Sequence, residues 1–116
     1  MLLFILYVLF AHFIADFVLQ SHDMAVNKSK DFWWLLAHVS VYTTVMGVFS
    51  TLLFSNFIAW WLFTVVTGIL HLSVDFVTSR INARLWEKGQ VHNFFVGVGA
   101  DQFIHYACLF GLLNYL

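Results

Sequence analysis

The composition of this 116-residue chain excludes an ordinary water-soluble domain, because 62% of its residues are hydrophobic and only 9% are charged. Too little ionised surface is available to cover an apolar core in water, and the formal net charge is only −1. We therefore expect the lipid bilayer as the main partner of the chain and expect no nucleic-acid partner.

Four apolar segments follow one another and predict four transmembrane helices. They run from Leu2 to about Leu19, from Phe32 to about Phe54, from Phe57 to about Thr78, and from about Ala100 to Leu116. Gly97 and Gly99 interrupt the approach to the last segment, so residues 91–99 are expected to lie at the membrane interface. Apolar runs of roughly 20 residues suit helices and exclude a barrel. The predicted fold is an all-α integral membrane bundle with a single domain over residues 1–116.

The basic residues predict the orientation of this bundle. All of them fall in the two connections on one side, namely Lys28, Lys30, Arg80, Arg84 and Lys88. The other side carries both termini and the turn at Ser55 and Asn56. The positive-inside tendency therefore puts both termini outside. We therefore expect a multi-pass membrane protein whose basic connections face the cytoplasm.

Two segments of the chain repeat one pattern. HFIADFVLQS from His12 and HLSVDFVTSR from His71 share H-x-x-x-D-F-V in register, each at the cytoplasmic end of an inward-running helix. This match predicts two similar helical hairpins related by an axis along the membrane normal.

Ionisable residues inside transmembrane spans are costly, and each is a functional candidate. Three pairs have i, i+4 spacing on single helical faces: His12 with Asp16, His71 with Asp75, and Asp101 with His105. Allowing for chain direction, every aspartate lies nearer the cytoplasm than its histidine. His38 enters the second span roughly 9 Å deep and should join the histidines. The sequence thus predicts a layer of four histidines, with three aspartates one helical turn nearer the cytoplasm. The second span has Trp34 at the position equivalent to the aspartates, so this side of the site is expected to be open.

This set of imidazoles and carboxylates suits a divalent metal ion. Zinc is the first choice, with iron or manganese as alternatives. The predicted ligands are His12, His38, His71, His105, Asp16, Asp75 and Asp101. The three aspartates are also the catalytic candidates, since a carboxylate can orient an imidazole or accept a proton from water. Alternatively, each pair only orients neighbouring helices through hydrogen bonds.

A family resemblance rests on these same residues. AHFIADFVLQ from Ala11, the single histidine of the second span (His38), HLSVDFV from His71 and DQFIHY from Asp101 together cover nearly the whole chain. In these features the chain resembles a small bacterial and phage membrane-protein family known as domain of unknown function 3307. The resemblance implies a compact four-helix fold that passes several times through the bacterial inner (cytoplasmic) membrane, and it brings no established activity. The type of site is similar to that of metal-dependent membrane hydrolases.

The preferred functional hypothesis is a membrane-embedded, metal-dependent hydrolase that acts on a lipid or amphiphile at the cytoplasmic leaflet. A metal ion or proton transporter is one alternative, since His and Asp relays occur in pumps. A non-catalytic phage or bacterial membrane interaction module is another. A homo-oligomer is also compatible with the sequence.

Overall fold

A computed structural model describes all residues from Met1 to Leu116, and every regular element in it is helical. The prediction of an all-α fold is therefore confirmed. In chain order the elements are α1 (Leu2–Phe13), a π-helical turn (Ile14–Val18) that continues α1, α2 (His22–Asn27), α3 (Phe32–Ser50), α4 (Phe57–Glu87) and α5 (Val91–Tyr115).

Polar side chains immediately before the helices fix where they begin. The Asp31 carboxylate accepts a hydrogen bond from the backbone N–H of Trp33 at the start of α3. Asn56 accepts from the N–H groups of Ile58 and Ala59 at the start of α4. These side chains satisfy N–H groups that have no partner within the helix. The turn predicted at Asn56 therefore separates α3 from α4.

Three helices are long and apolar enough to cross a membrane: α3 with 19 residues, α4 with 31 and α5 with 25. The first apolar helix, Leu2–Val18, is shorter. At about 1.5 Å per residue, α4 extends about 46 Å, which exceeds a hydrocarbon core of about 30 Å. The helix thus continues beyond the span predicted to end near Thr78. The four-span arrangement stays a prediction.

The predicted interruption at Gly97 and Gly99 is absent, because α5 runs without a break from Val91. Gly97 lies against the side chain of Asn82 on α4, and a Cβ at this position would overlap the Asn82 amide oxygen. The glycine therefore permits close approach of α4 and α5 and does not end a helix.

The helices pack around α4, which contacts α3 on one side and α5 on the other, while α1 and the π turn lie on α3. Apolar side chains fill the half of the bundle away from the basic connections; Tyr42, Met46, Phe63 and Leu109 are among the buried ones. The buried ionisable residues lie nearer the end that carries all the lysines and arginines, which we call the basic end.

Candidate metal centre

The first site residue, Asp16, lies in the middle of the π turn. The backbone N–H of Leu19 donates to the carbonyl of Ile14, five residues earlier, at 3.0 Å. Such a turn widens the helix by one residue and is often found at functional sites. Asp16 is almost fully buried, and its carboxylate faces α3, α4 and α5. The turn thus brings a residue of the first helix to the centre of the bundle.

Four side chains from three segments form a first donor group: Asp16, His38, His71 and Asp75. Nε2 of His38 lies 3.1 Å from Asp16 Oδ1, 3.2 Å from Asp75 Oδ2 and 3.0 Å from Nε2 of His71. Nε2 of His71 lies 3.3 Å and 3.4 Å from the same two carboxylate oxygens. All four residues are buried, so these atoms surround one small volume inside the protein.

These separations fit one metal ion. A tetrahedron with metal–ligand bonds of about 2.0–2.1 Å has edges of about 3.3–3.4 Å, close to the 3.0–3.4 Å found for the measured pairs. Hydrogen bonds alone account poorly for the contacts, because a neutral imidazole carries only one N–H. Two Nε2 atoms therefore supply at most two hydrogens for five close contacts. A cation satisfies all four donor atoms together.

A second donor group lies beside the first and contains Asp16, Asp101 and His105. Nε2 of His105 lies 3.2 Å from Asp101 Oδ1 and 3.0 Å from Asp75 Oδ1. The His105 ring stacks on the His71 ring with centroids 4.2 Å apart. The two groups are thus adjacent and share the carboxylate of Asp16.

His12 lies outside both donor groups, although it is fully buried next to them. The Tyr42 hydroxyl donates to Nδ1 of His12 at 3.0 Å. Nε2 of His12 donates to Oε1 of Gln102 at 2.9 Å and also lies 3.3 Å from Asp16 Oδ2. Both ring nitrogens therefore have protein partners. The structure brings together all seven predicted site residues, and their individual roles as ligands stay predictions.

Sequence reasoning missed Gln102, which links several members of the site. Its side-chain N–H group donates to Asp16 Oδ2 and to Asp101 Oδ2, each at 3.1 Å, while its oxygen accepts from His12. This pattern fixes the orientation of two carboxylates and one imidazole. The sequence does offer a sign of this role, because Gln102 is a polar amide next to Asp101 in an apolar segment. Considering only ionisable residues leaves it out.

Lys28 is the second missed residue. The sequence places it in the basic connection that sets topology, yet its ammonium donates to Asp75 Oδ2 at 2.9 Å and its side chain is only 17% exposed. The long side chain reaches inward from the end of α2. No spacing pattern in the sequence indicates this contact, because Lys28 and Asp75 are far apart along the chain.

The rings of the first group are held by stacking as well as by polar contacts. The Tyr42 ring lies nearly parallel to the His71 ring, with centroids 3.7 Å apart. Nδ1 of His38 and Nδ1 of His71 are buried and have no hydrogen-bond partner. In many metal sites a hydrogen bond to this second nitrogen orients the imidazole. Here the His71 ring stacks on Tyr42 and on His105, and this stacking fixes the plane of His71.

A cavity of about 670 Å³ opens next to the donor groups at the basic end. Asp16, Asp75 and Asp101 line it together with Gln20 and Ser79. The Gln20 Oε1 and Ser79 Oγ atoms are buried without a partner. The size is typical of small-molecule sites. The cavity thus lies directly beside the carboxylates of the candidate metal centre.

Together these features define a helical protein with helices able to cross a membrane and a buried His–Asp group that can hold a metal ion. The family described as "Protein of unknown function (DUF3307)" matches residues 3–115, and the chain belongs to this family. Comparison with curated proteins and with solved structures gives no match. The family assignment therefore confirms the resemblance seen in the sequence and leaves the activity to be inferred from the site.

Proposed function

We propose that this protein is a membrane-embedded, metal-dependent hydrolase. The observation that carries the proposal is the contact between the donor groups and the cavity, because three carboxylates of the candidate metal centre also line a space large enough for a substrate group. A purely structural set of helix-orienting pairs requires no such cavity beside it. Concave sites with a few convergent polar groups are the usual location of ligand binding.

A divalent ion bound by Asp16, His38, His71 and Asp75 would supply Lewis-acid activation of water. The protein residues supply the rest of the chemistry. Carboxylate oxygens that face the cavity are positioned to accept the proton of an attacking water. Gln102 holds two of these carboxylates in fixed orientations, and Gln20 and Ser79 are polar residues in the lining of the cavity that would receive the substrate.

The proposed substrate is a lipid or another amphiphile. Aromatic side chains that are exposed at the surface also line the cavity, including Phe17, Trp86 and Phe95. Apolar chains can lie against such rings while a polar group enters the cavity. With four spans and both termini outside in a bacterial inner membrane, as the sequence predicts, the basic end and its cavity would face the cytoplasmic leaflet.

Transport and a non-catalytic interaction role are less well supported. Beyond the His–Asp groups, the bundle interior is filled by buried apolar side chains such as Met46, Phe63 and Leu109. This packing argues against a polar path across the protein. An interaction module has no need of a metal-sized donor group beside a cavity, so the hydrolase remains the preferred function.

The metal requirement is tested by elemental analysis of protein purified in detergent after exposure to zinc, iron or manganese salts. Wild-type protein should retain at least one ion per chain, whereas His38→Ala and His71→Ala should lose it. His92→Ala is the matched control, because His92 is exposed at the start of α5. Folded wild-type protein that retains no metal after exposure to all three would contradict the proposal.

Catalysis is tested separately by mass spectrometry of bacterial lipid extract incubated with metal-loaded protein in vesicles. We expect hydrolysis products that disappear after chelation and in Asp75→Asn. His92→Ala should form them at the wild-type rate. Products that form equally with Asp75→Asn would originate elsewhere and would contradict the assignment of this site.

A further inference from the structure

We infer that the site holds two divalent ions, bridged by the carboxylates of Asp16 and Asp75. This inference rests on the proposed metal site. The starting point is the number of donors, because the two donor groups together contain three imidazoles and three carboxylates, whereas one tetrahedral ion takes four ligands. Helical bundles can hold pairs of metal ions between carboxylates and histidines that project inward from facing helices.

The two oxygens of Asp75 face different donors. Oδ2 is near Nε2 of His38 and Nε2 of His71, at 3.2 Å and 3.4 Å, while Oδ1 is 3.0 Å from Nε2 of His105. Asp16 is divided in the same way, because Oδ1 faces His38 and His71 and Oδ2 is directed toward His12 and Gln102. A carboxylate arranged in this way can bind one ion with each oxygen. The first donor group thus uses Oδ2 of Asp75 and Oδ1 of Asp16. The second oxygen of each carboxylate contacts other residues, namely His105 for Asp75 and Gln102 for Asp16.

The remaining donors form a second set. His105 and Asp101 lie 3.2 Å apart through Nε2 and Oδ1, and donor atoms of Asp16, Asp101 and His105 all lie within 4.8 Å of one another. Asp75 Oδ1 lies 3.0 Å from Nε2 of His105 and is the atom with which Asp75 would join this set. The set would then contain one imidazole nitrogen and three carboxylate oxygens. Oxygen-rich donor sets of this kind suit manganese or iron as well as zinc.

Supporting contacts hold Asp101 in place for this role. The Thr78 hydroxyl donates to Asp101 Oδ1, and the Gln102 amide donates to Asp101 Oδ2. The His71 and His105 rings stack face to face with an interplanar angle of 24°, so an imidazole of one set lies directly against an imidazole of the other. These contacts hold the second set beside the first, with which it shares the carboxylate of Asp16.

The test is a count of ions per chain with the metal alone as the probe. Zinc-loaded wild-type protein in detergent should carry two ions after gel filtration, while His105→Ala and Asp101→Asn should each carry one. His92→Ala should carry two. In parallel, manganese-loaded wild-type protein should give the electron paramagnetic resonance signal of a spin-coupled pair, and the two site variants should give that of a single ion.

Wild-type protein that saturates at one ion overturns this inference and leaves the proposed hydrolase intact, provided that His71→Ala removes that ion. Wild-type protein that binds none overturns both. Two ions retained in both His105→Ala and Asp101→Asn, or two manganese ions without spin coupling, also refute the bridged pair. Helix content and elution volume of each variant identify a loss of ions that results from misfolding, and Asp101→Asn keeps the native side-chain shape.

Discussion

Replacement of Gln102 by leucine should weaken metal binding about eightfold while leaving every proposed ligand in place. The substitution removes three hydrogen bonds, two to carboxylates and one from His12. Bonds to charged groups in a water-soluble core contribute about 1.5–3 kcal/mol each, but polar contacts between transmembrane helices average only about 0.6 kcal/mol. The membrane value is the more suitable one here, because Gln102 lines the cavity and water can replace the lost contacts. The contacts with Asp16 and His12 join different helices, whereas Asp101 is the neighbouring residue on α5. Two interhelical contacts give about 1.2 kcal/mol, which corresponds to about eightfold in affinity.

The assay is competition for zinc between the protein and a chromophoric chelator, in detergent. Gln90→Leu provides the control, since Gln90 is exposed just before α5 and its amide oxygen accepts only from Asn93. This control should bind zinc like wild-type protein. A change of less than about twofold for Gln102→Leu would refute the view that this amide orients the metal-binding carboxylates.

Three further substitutions test the cavity, the buried lysine and the helix packing. Ser79→Leu should fill the cavity and lower lipid hydrolysis at least about 10-fold with unchanged zinc content; unaltered turnover would contradict the cavity as the substrate site. Lys28→Met should tighten zinc binding about fivefold in the competition assay, because the ammonium shares a carboxylate oxygen with the proposed ion; weaker binding would contradict this reasoning. Gly68→Ala should destabilise the protein by about 1–3 kcal/mol in thermal or denaturant unfolding, since a Cβ would overlap the Thr43 hydroxyl. Gly111→Ala, which has open space around it, should have little effect.

The sequence predicted the helical class and the clustering of the polar residues because both depend on regular periodicity. His71 and Asp75 share one face of a continuous helix, so i, i+4 spacing was enough to place them together. The same spacing correctly paired His12 with Asp16, which lie 3.3 Å apart, but it did not predict the π turn in which Asp16 lies. Such a turn results from the balance of packing around the helix, and no single residue type marks it. The inward reach of Lys28 depends on tertiary packing in the same way.

The repeated motif also shows how similar sequences produce unlike halves of one site. His71 directs Nε2 into the first donor group, whereas the equivalent His12 uses its nitrogens on Tyr42 and Gln102. The difference has a local cause, because the second copy of the motif lies in an uninterrupted helix and the first runs into the π turn. Each histidine lies near the aspartate four residues later, at 3.3 Å for His12 and 3.4 Å for His71. If both copies served only to join helices, we would expect the other partners of the two histidines to be equivalent as well. Instead, His71 supplies a donor atom to the first group, whereas His12 orients the Gln102 amide, which in turn holds two carboxylates of the site. This division of roles favours a metal centre over a pair of structural contacts.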